Sequence, residues 1–172
     1  MKPIIIVDLE ATCSENKDIE NEIIEIGAVK IIDGKVVDTF GQFVRPVFNP
    51  ILTDFCKELT TIQQEDVDKA ENFPEVLADF KKWIGTNDYI MMSWGFYDKK
   101  QFIKDCEKWH IPSNWIPEHQ NVKLMFADKM NHKPCGMEKA LNYLRIPLDG
   151  THHRGIDDAK NIAKIYLKIM EA

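Results

Sequence analysis

The stretch IIIVDLEAT, residues 4–12, constrains the fold of this chain more than any other. Its aliphatic run predicts a strand buried on both faces, as in a sheet covered by helices. Asp8 and Glu10 follow directly, and because side chains alternate along a strand, both emerge on the same face. An unpaired carboxylate is costly to bury, so these two acids need a positive group or access to water.

The pattern of the remaining chain predicts an α/β fold. Strands are predicted at 22–32 and 36–46, joined by the turn DGK, because an Asp-Gly turn between apolar stretches is a strong hairpin signal. A fourth strand is predicted at 89–94, and the segment 111–120 receives no assignment. Caps and apolar spacing predict helices at 59–70, 73–84, 98–110, 136–144 and 155–172. Strands first, then alternating strands and helices, indicate a mixed sheet with helices packed on it.

Length, charge and cysteine content narrow the class of protein. The 172 residues suffice for one compact domain, predicted to span 1–172. The net charge of -6 argues against a long basic groove for nucleic acid, although metal ions could still hold a substrate end in one pocket. The four cysteines lack metal-type spacing, and the apolar run at the start is too short for a signal peptide or a membrane span. We therefore expect a cytoplasmic protein with reduced thiols and no membrane partner.

Three separate segments carry acids that can converge on one site. Asp8 and Glu10 lie at the carboxyl end of the first strand, where open α/β sheets bind their ligands, and Asp98 follows the fourth strand. In the last helix, successive steps of four, three and four from Asp158 reach Ile162, Ile165 and Ile169, whereas Asp157 shares its face with Asn161 and three lysines. The helix dipole stabilises an exposed first-turn acid by only about 0.3–1 kcal/mol. Asp158 is therefore predicted to border the core and to need a cation.

Each of these acids also has a simpler explanation when it is taken alone. Asp8 and Glu10 could form a solvated strand end, and Asp98 could cap the helix that follows it. Together, the acids form an all-oxygen ligand set that suits Mg²⁺ or Mn²⁺. Two such ions about 3.5–4 Å apart clamp both reacting oxygens of a phosphodiester displacement. His152 and His153 stand beside the last acid, and either imidazole suits a general base.

In combination, the segments VDLEAT, SWGFYD and HRGIDDAKNIA resemble the DEDDh 3′→5′ exonucleases. The segments EIIEIGAV and DFCKELTTIQQEDVDKA are similar to one subgroup, which includes the histone-mRNA and small-RNA trimming (enhanced RNA interference type) and bacterial sporulation-inhibitor type exonucleases. The resemblance covers nearly the whole chain. It implies a ribonuclease H-like fold with a mixed five-stranded sheet flanked by helices. It also implies RNA processing by hydrolysis of single-stranded RNA 3′ ends, and by extension DNA 3′ ends, to nucleoside 5′-monophosphates.

The resemblance implies roles for the acids and for one histidine. It implies two divalent ions, Mg²⁺ or Mn²⁺, with Asp8, Glu10 and Asp158 holding the first. Asp8 and Asp98 would serve the second ion. His153 is implied as the general base that takes a proton from the attacking water.

The resemblance further implies a slot for the substrate end. Phe55 and Tyr97 match two aromatic side chains that hold the terminal base, and Tyr97 stands where relatives often have Trp. Stacking is worth about 1–3 kcal/mol per base and tolerates any sequence. Core packing is the alternative explanation for both aromatic residues. The backbone of Leu9, Ala11 and Thr12 is implied to lie against the terminal ribose.

Two other functions are also consistent with the sequence. A DNA-directed, proofreading-type exonuclease would use the same catalytic residues, so only its substrates would distinguish it. A non-catalytic module that binds RNA ends or a protein partner would be free to lose an acid, yet all four acids and the histidine are present. The favoured hypothesis is therefore an enzyme whose partners are nucleic-acid 3′ ends and a nucleoside monophosphate product. No residue pattern indicates a protein partner.

Overall fold

The computed structural model describes residues 2–171, which contain one five-stranded mixed sheet. The strands are β1 (Ile4–Ala11), β2 (Ile23–Ile32), β3 (Lys35–Phe43), β4 (Ile90–Ser93) and β5 (His119–Asn121). Their order across the sheet is β3-β2-β1-β4-β5. The central strand β1 pairs antiparallel with β2 and parallel with β4, and β5 is parallel to β4. The predicted mixed five-stranded α/β sheet and its first hairpin, β2–β3, are confirmed.

Helices pack on both faces of this sheet in the described part of the chain. They are α1 (Asp54–Thr60), α2 (Gln64–Asp68), α3 (Phe73–Ile84), α4 (Tyr97–Lys108), α5 (Val122–Lys129), α6 (Met137–Tyr143) and α7 (Gly155–Met170). Ile5 and Val7 of β1 belong to the core formed with α3 and α4, whereas Ile6 belongs to the core formed with α5, α6 and α7. The run is aliphatic at successive positions because both faces of β1 are buried. None of the helices in residues 2–171 could cross a lipid bilayer.

Two regions differ from the sequence prediction. The pattern predicts one helix over 59–70, but the structure has two, with Thr61 between them in the left-handed region at φ 65°. Thr53 caps the first of these helices by accepting a hydrogen bond from the Cys56 backbone N–H. The segment 111–120 contains the start of β5 and leads into α5, whose apolar residues do not follow one helical face. Such a helix gives no periodic signal.

Two glycines allow α7 to lie directly on the sheet. A Cβ at Gly27 of β2 would lie 2.2 Å from the carbonyl carbon of Gly155, the first residue of α7. A Cβ at Gly155 would lie 2.7 Å from the backbone oxygen of Asp8. Only glycine permits so close an approach of two backbones. The N-terminus of α7 is thereby brought against the carboxyl end of β1.

Candidate active site

Three acids lie together where β1 meets the first turn of α7. Ligand oxygens of Asp8, Glu10 and Asp158 all lie within 4.8 Å of one another. Asp8 and Glu10 are half-buried on one side of β1, as the alternation of side chains predicts. Asp158 is only 4% exposed and borders the core, as the isoleucine spacing predicts. The structure therefore brings acids from two distant segments into one cluster.

Asp98 adjoins this cluster from the first turn of α4. Its Oδ1 accepts a hydrogen bond of 2.8 Å from the Leu9 backbone N–H, which lies between the two acids of β1. The N-cap position of α4 belongs to Phe96, so the interpretation of Asp98 as the helix cap is wrong. Asp98 is buried and its carboxylate is directed to β1. All four acids singled out in the sequence thus meet at one edge of the sheet.

Burial raises the pKa of all four carboxyls, and the charges of neighbouring carboxyls raise the pKa of three of them further. Burial, followed by the charges of Asp98 and Glu10, raises the pKa of Asp8 well above its usual range. Burial and the charge of Asp158 raise the pKa of Glu10 to about 9. Burial raises the pKa of Asp98 to about 7 and also raises that of Asp158. Within residues 2–171 no lysine or arginine forms an ion pair with these four acids, so the cluster either retains protons or binds a cation from solution.

This donor set fits a hard divalent cation. Asp8, Glu10 and Asp158 offer carboxylate oxygens close enough together to share one ion. Mg²⁺ and Mn²⁺ prefer such oxygen ligands, and a bound cation would offset both the burial and the repulsion that raise the pKa values. The acids of this site therefore fit the ions that the sequence pattern predicts.

Two histidines lie beside the cluster at the N-terminus of α7. Nδ1 of His152 lies 2.9 Å from Oδ1 of Asp158, and the His153 backbone N–H donates to Oδ2 of Asp158 at 2.9 Å. The two imidazole rings stack with centroids 3.9 Å apart. His153 has φ 67°, a left-handed conformation that is uncommon for residues other than glycine. Burial and the neighbouring His152 lower the pKa of His153, so its imidazole can accept a proton at neutral pH.

Phe55 and Tyr97 line one cavity of about 520 Å³. Phe55 comes from α1 and is 38% exposed, and Tyr97 begins α4 and is 47% exposed. The core-packing explanation is therefore wrong for both residues. The remaining lining is mostly polar and charged, with the lysines Lys17 and Lys104 and the glutamates Glu15 and Glu20.

The backbone after the first acid is largely engaged by the protein itself. The Leu9 N–H donates to Asp98, and the Thr12 N–H donates to the Glu22 carbonyl at 2.8 Å. The Thr12 hydroxyl accepts a hydrogen bond of 2.9 Å from the Glu22 N–H. The side chains of Leu9, Ala11 and Thr12 are buried. Their side chains thus support the fold, and contact with a terminal ribose through their backbone stays a prediction.

Sequence reasoning missed residues that support the site from behind. Ser93 of β4 contacts the carboxyl of Asp98, and its hydroxyl lies 2.7 Å from Nε2 of His119. Glu25 of β2 accepts a hydrogen bond of 2.7 Å from the Gly155 backbone N–H. A signal for Glu25 was present, because an acid stands inside the apolar strand pattern EIIEIGAV.

A mixed sheet whose central strand ends in paired acids, completed by acids from α4 and α7 and by a nearby histidine, is the arrangement of a DEDDh nuclease on the ribonuclease H-like fold. A family model described as Exonuclease matches residues 5–166. The chain belongs to this family, that of the DEDDh 3′→5′ exonucleases.

Individual relatives agree with this assignment. The 3′-5′ exoribonuclease 1 of Rattus norvegicus is 33% identical over 186 residues, which cover 98% of this chain and 53% of the relative. The probable 3′-5′ exonuclease KapD of Bacillus subtilis (strain 168) is 31% identical, covering 98% of this chain and 84% of the relative. The crystallographic structure of the nuclease domain of 3′hExo, a DEDDh family member bound to rAMP, superposes with a TM-score of 0.91 at 32% identity, covering 99% of this chain and 92% of that one. The chain spans about half the length of the exoribonuclease relative.

Proposed function

We propose that this protein is a metal-dependent 3′→5′ exonuclease that removes nucleotides from the 3′ ends of single-stranded RNA. The observation that carries the proposal is the cluster of Asp8, Glu10 and Asp158, joined by Asp98, beside a cavity with accessible aromatic walls. The names of the relatives support an exonuclease acting from the 3′ end. The rAMP bound in the 3′hExo nuclease domain supports a nucleoside monophosphate as product.

The four acids would hold two divalent ions, Mg²⁺ or Mn²⁺. Asp8, Glu10 and Asp158 would bind the first, and Asp8 and Asp98 the second. When bound, such ions lower the pKa of an attacking water and stabilise the negative charge that develops on the phosphate oxygens. No basic side chain within residues 2–171 forms an ion pair with these acids, so protons or metal ions must balance their charge.

His153 acts as the general base in this proposal. Its imidazole is uncharged at neutral pH because its pKa is lowered, so it can take the proton of the attacking water. The water oxygen bonds to phosphorus while the bond between phosphorus and the 3′ oxygen of the preceding nucleotide breaks. That oxygen takes a proton from solvent, which leaves a nucleoside 5′-monophosphate and a new 3′-hydroxyl end. Phe55 and Tyr97 hold the terminal base by stacking, so that each newly exposed base is accepted whatever its identity.

Two neighbouring histidines allow a matched test of this function. RNA and DNA oligonucleotides carrying a 5′ label are incubated with Mg²⁺, Mn²⁺ or EDTA, and wild type is compared with His153→Ala and His152→Ala. We expect a metal-dependent ladder that shortens from the 3′ end, with RNA degraded faster than DNA. His153→Ala should slow it by about 10²–10⁴-fold, the usual contribution of a general base. His152→Ala should cost less than His153→Ala, because it removes one contact to Asp158 but not the base.

Two outcomes would contradict the proposal. If folded, metal-loaded wild type leaves every oligonucleotide intact, the protein is a binding module rather than an enzyme. If His152→Ala slows degradation more than His153→Ala does, the base is His152, whose imidazole contacts Asp158.

A further inference from the structure

We propose that Glu25 and Arg154 form a clamp that positions the first turn of α7 against the acids of β1. Asp158 lies in this turn and His153 immediately precedes it, so the clamp determines where both stand relative to Asp8. This inference rests on the proposed function. In this clamp Glu25 is a positioning residue that acts through α7 rather than on the substrate.

The contacts of Glu25 all lead to the start of α7. Glu25 pairs with Glu10 across the β1–β2 ladder, and its side chain is only 2% exposed. Its Oε1 accepts hydrogen bonds from the Gly155 backbone N–H at 2.7 Å and from Nε of Arg154 at 3.3 Å. Its Oε2 accepts the Ile156 backbone N–H at 3.4 Å. The carboxylate thus connects the central part of the sheet to the end of a helix that begins 130 positions later.

The helix α7 needs this contact because it has no cap of its own. The N-cap position is Arg154, whose side chain makes no capping hydrogen bond. The first N–H groups of a helix have no partner within the helix, and a carboxylate at this end is favoured by the helix dipole. A local Ser or Asp cap would satisfy these groups without tying the helix to anything else. Glu25 satisfies them from β2 and so sets the position of the helix relative to the catalytic acids.

The packing around the clamp leaves the turn little freedom to move. Gly27 and Gly155 bring the backbones of β2 and α7 into direct contact, so no side chain separates helix from sheet. The guanidinium of Arg154 lies over the Phe43 ring, 4.9 Å from its centroid. Arg154 is therefore committed to Glu25 and Phe43 and is not the missing cation of the catalytic acids.

The geometry separates Glu25 from the metal-binding acids, although Glu10 is its neighbour across the ladder. Both oxygens of Glu25 receive donors from the protein, and Glu25 is absent from the group of acids whose oxygens lie within 4.8 Å of one another. A group behind the ligands that fixes their orientation typically changes metal affinity or activity by about 10–100-fold when it is removed. This is the size of effect expected for Glu25.

The chain offers a matched control in Glu22, a second buried glutamate from the same segment. Glu22 is 3% exposed and accepts backbone N–H groups of residues 47–49, remote from α7. Glu25→Ala, Glu25→Gln and Glu22→Ala are compared in three measurements. These are kcat and KM on a labelled RNA oligonucleotide, the Mn²⁺ concentration at half-maximal thermal stabilisation, and the melting temperature in EDTA.

We expect Glu25→Ala to lower kcat and raise the Mn²⁺ midpoint by about 10–100-fold each, with KM within about twofold of wild type. Glu25→Gln retains one acceptor oxygen for Gly155 and should recover most of both losses. Glu22→Ala should lower the melting temperature without changing kcat or the Mn²⁺ midpoint.

Two results would overturn the clamp. If Glu25→Ala lowers only the melting temperature, Glu25 is a purely structural residue. Equal losses of kcat and metal affinity in Glu25→Ala and Glu22→Ala would mean that any destabilisation of the fold has this effect. If wild type degrades no oligonucleotide, the proposed function fails, but the Mn²⁺ midpoints still decide whether Glu25 positions the acids.

Discussion

Two groups of carboxylates in this protein are largely withdrawn from water, and they differ in what surrounds them. Glu22, Glu25 and Asp105 each accept at least one backbone N–H, the last of them from Ile23 at 2.8 Å. Asp8 and Glu10 instead lie close to each other, and no N–H group within residues 2–171 donates to either carboxylate. The fold thus supplies hydrogen-bond donors to the carboxylates of the first group but not to those of the second.

The contrast applies to the two acids of β1, because Asp98 and Asp158 each accept one backbone N–H, from Leu9 and His153. Burial does not separate the groups, because both contain acids that water reaches poorly. The supply of donors separates them, since a carboxylate that receives N–H groups stabilises the fold, whereas one without donors destabilises it. A protein retains such a cost where it serves a function. The unsatisfied acids of β1 are therefore where the proposed cation would bind.

The largest effects on rate and stability are expected when one carboxylate of each group is replaced by its amide. Asp8→Asn should lower the exonuclease rate by about 10³-fold, because several kcal/mol of transition-state stabilisation are lost. It should also raise the melting temperature in EDTA, by about 2–4 °C for each kcal/mol of repulsion removed. Glu22→Gln should lower the melting temperature, because an amide cannot accept every N–H that the carboxylate accepts. Thermal denaturation measures the changes in stability, and single-turnover assays measure the rate. A lower melting temperature for Asp8→Asn would show that this carboxylate stabilises the fold, as Glu22 does.

The cavity aromatics should show a smaller, binding-specific effect. Phe55→Ala and Tyr97→Ala should each raise KM by about 5–150-fold, which corresponds to the loss of about 1–3 kcal/mol of stacking. Their melting temperatures should change little, because both side chains are accessible to water. Phe96→Ala is the control, since Phe96 precedes Tyr97 and is 49% exposed but does not line the cavity. Equal KM values for Phe96→Ala and Tyr97→Ala would argue against base stacking at Tyr97.

The smallest effect expected is on the pH dependence of stability. The pKa values of Asp98 and Glu10 are raised to about 7 and about 9, so the folded protein keeps protons that the unfolded chain loses near pH 4. The stability contributed by these protons is fully present below about pH 4 and is lost as pH rises through 7 and 9.

Mg²⁺ should replace these protons, so the Mg²⁺-induced rise in melting temperature should be several degrees larger at pH 9 than at pH 5. Burial raises the pKa of Asp105 only to about 6. A loss of stability above pH 7 therefore comes from the acids of the site rather than from Asp105. A shift in melting temperature that is independent of pH would contradict the raised pKa values.

Local signals in the sequence were sufficient for the elements that carry the acids. The aliphatic run predicted the central strand, the Asp-Gly turn predicted the β2–β3 hairpin, and isoleucine spacing separated Asp158 from Asp157. The break between α1 and α2 was not predictable, because Thr61 adopts a left-handed conformation without being glycine. The helix α5 was missed because its apolar residues do not form a single stripe.

The site was predictable where one segment contains its own signal, and not where partners come from far along the chain. Asp8 and Glu10 can be recognised from the sequence because they are acids at the end of a buried strand. The role of Glu25 depends on a donor 130 positions away, which no local pattern can indicate. Both histidines lie beside Asp158, so position does not distinguish them, and the choice of His153 came from the resemblance to a family.

The late position of α7 in the chain has a consequence for synthesis on the ribosome. β1, β2 and β3 follow one another between residues 4 and 43, so this part of the sheet can form from local contacts early in translation. Asp158 and the turn that Glu25 holds are made more than a hundred residues later. A nascent chain that lacks residues 155–171 has no complete acid cluster, and the face of the sheet that α7 covers is left exposed. The acid cluster is therefore complete only after α7 has been synthesised and has packed on the sheet.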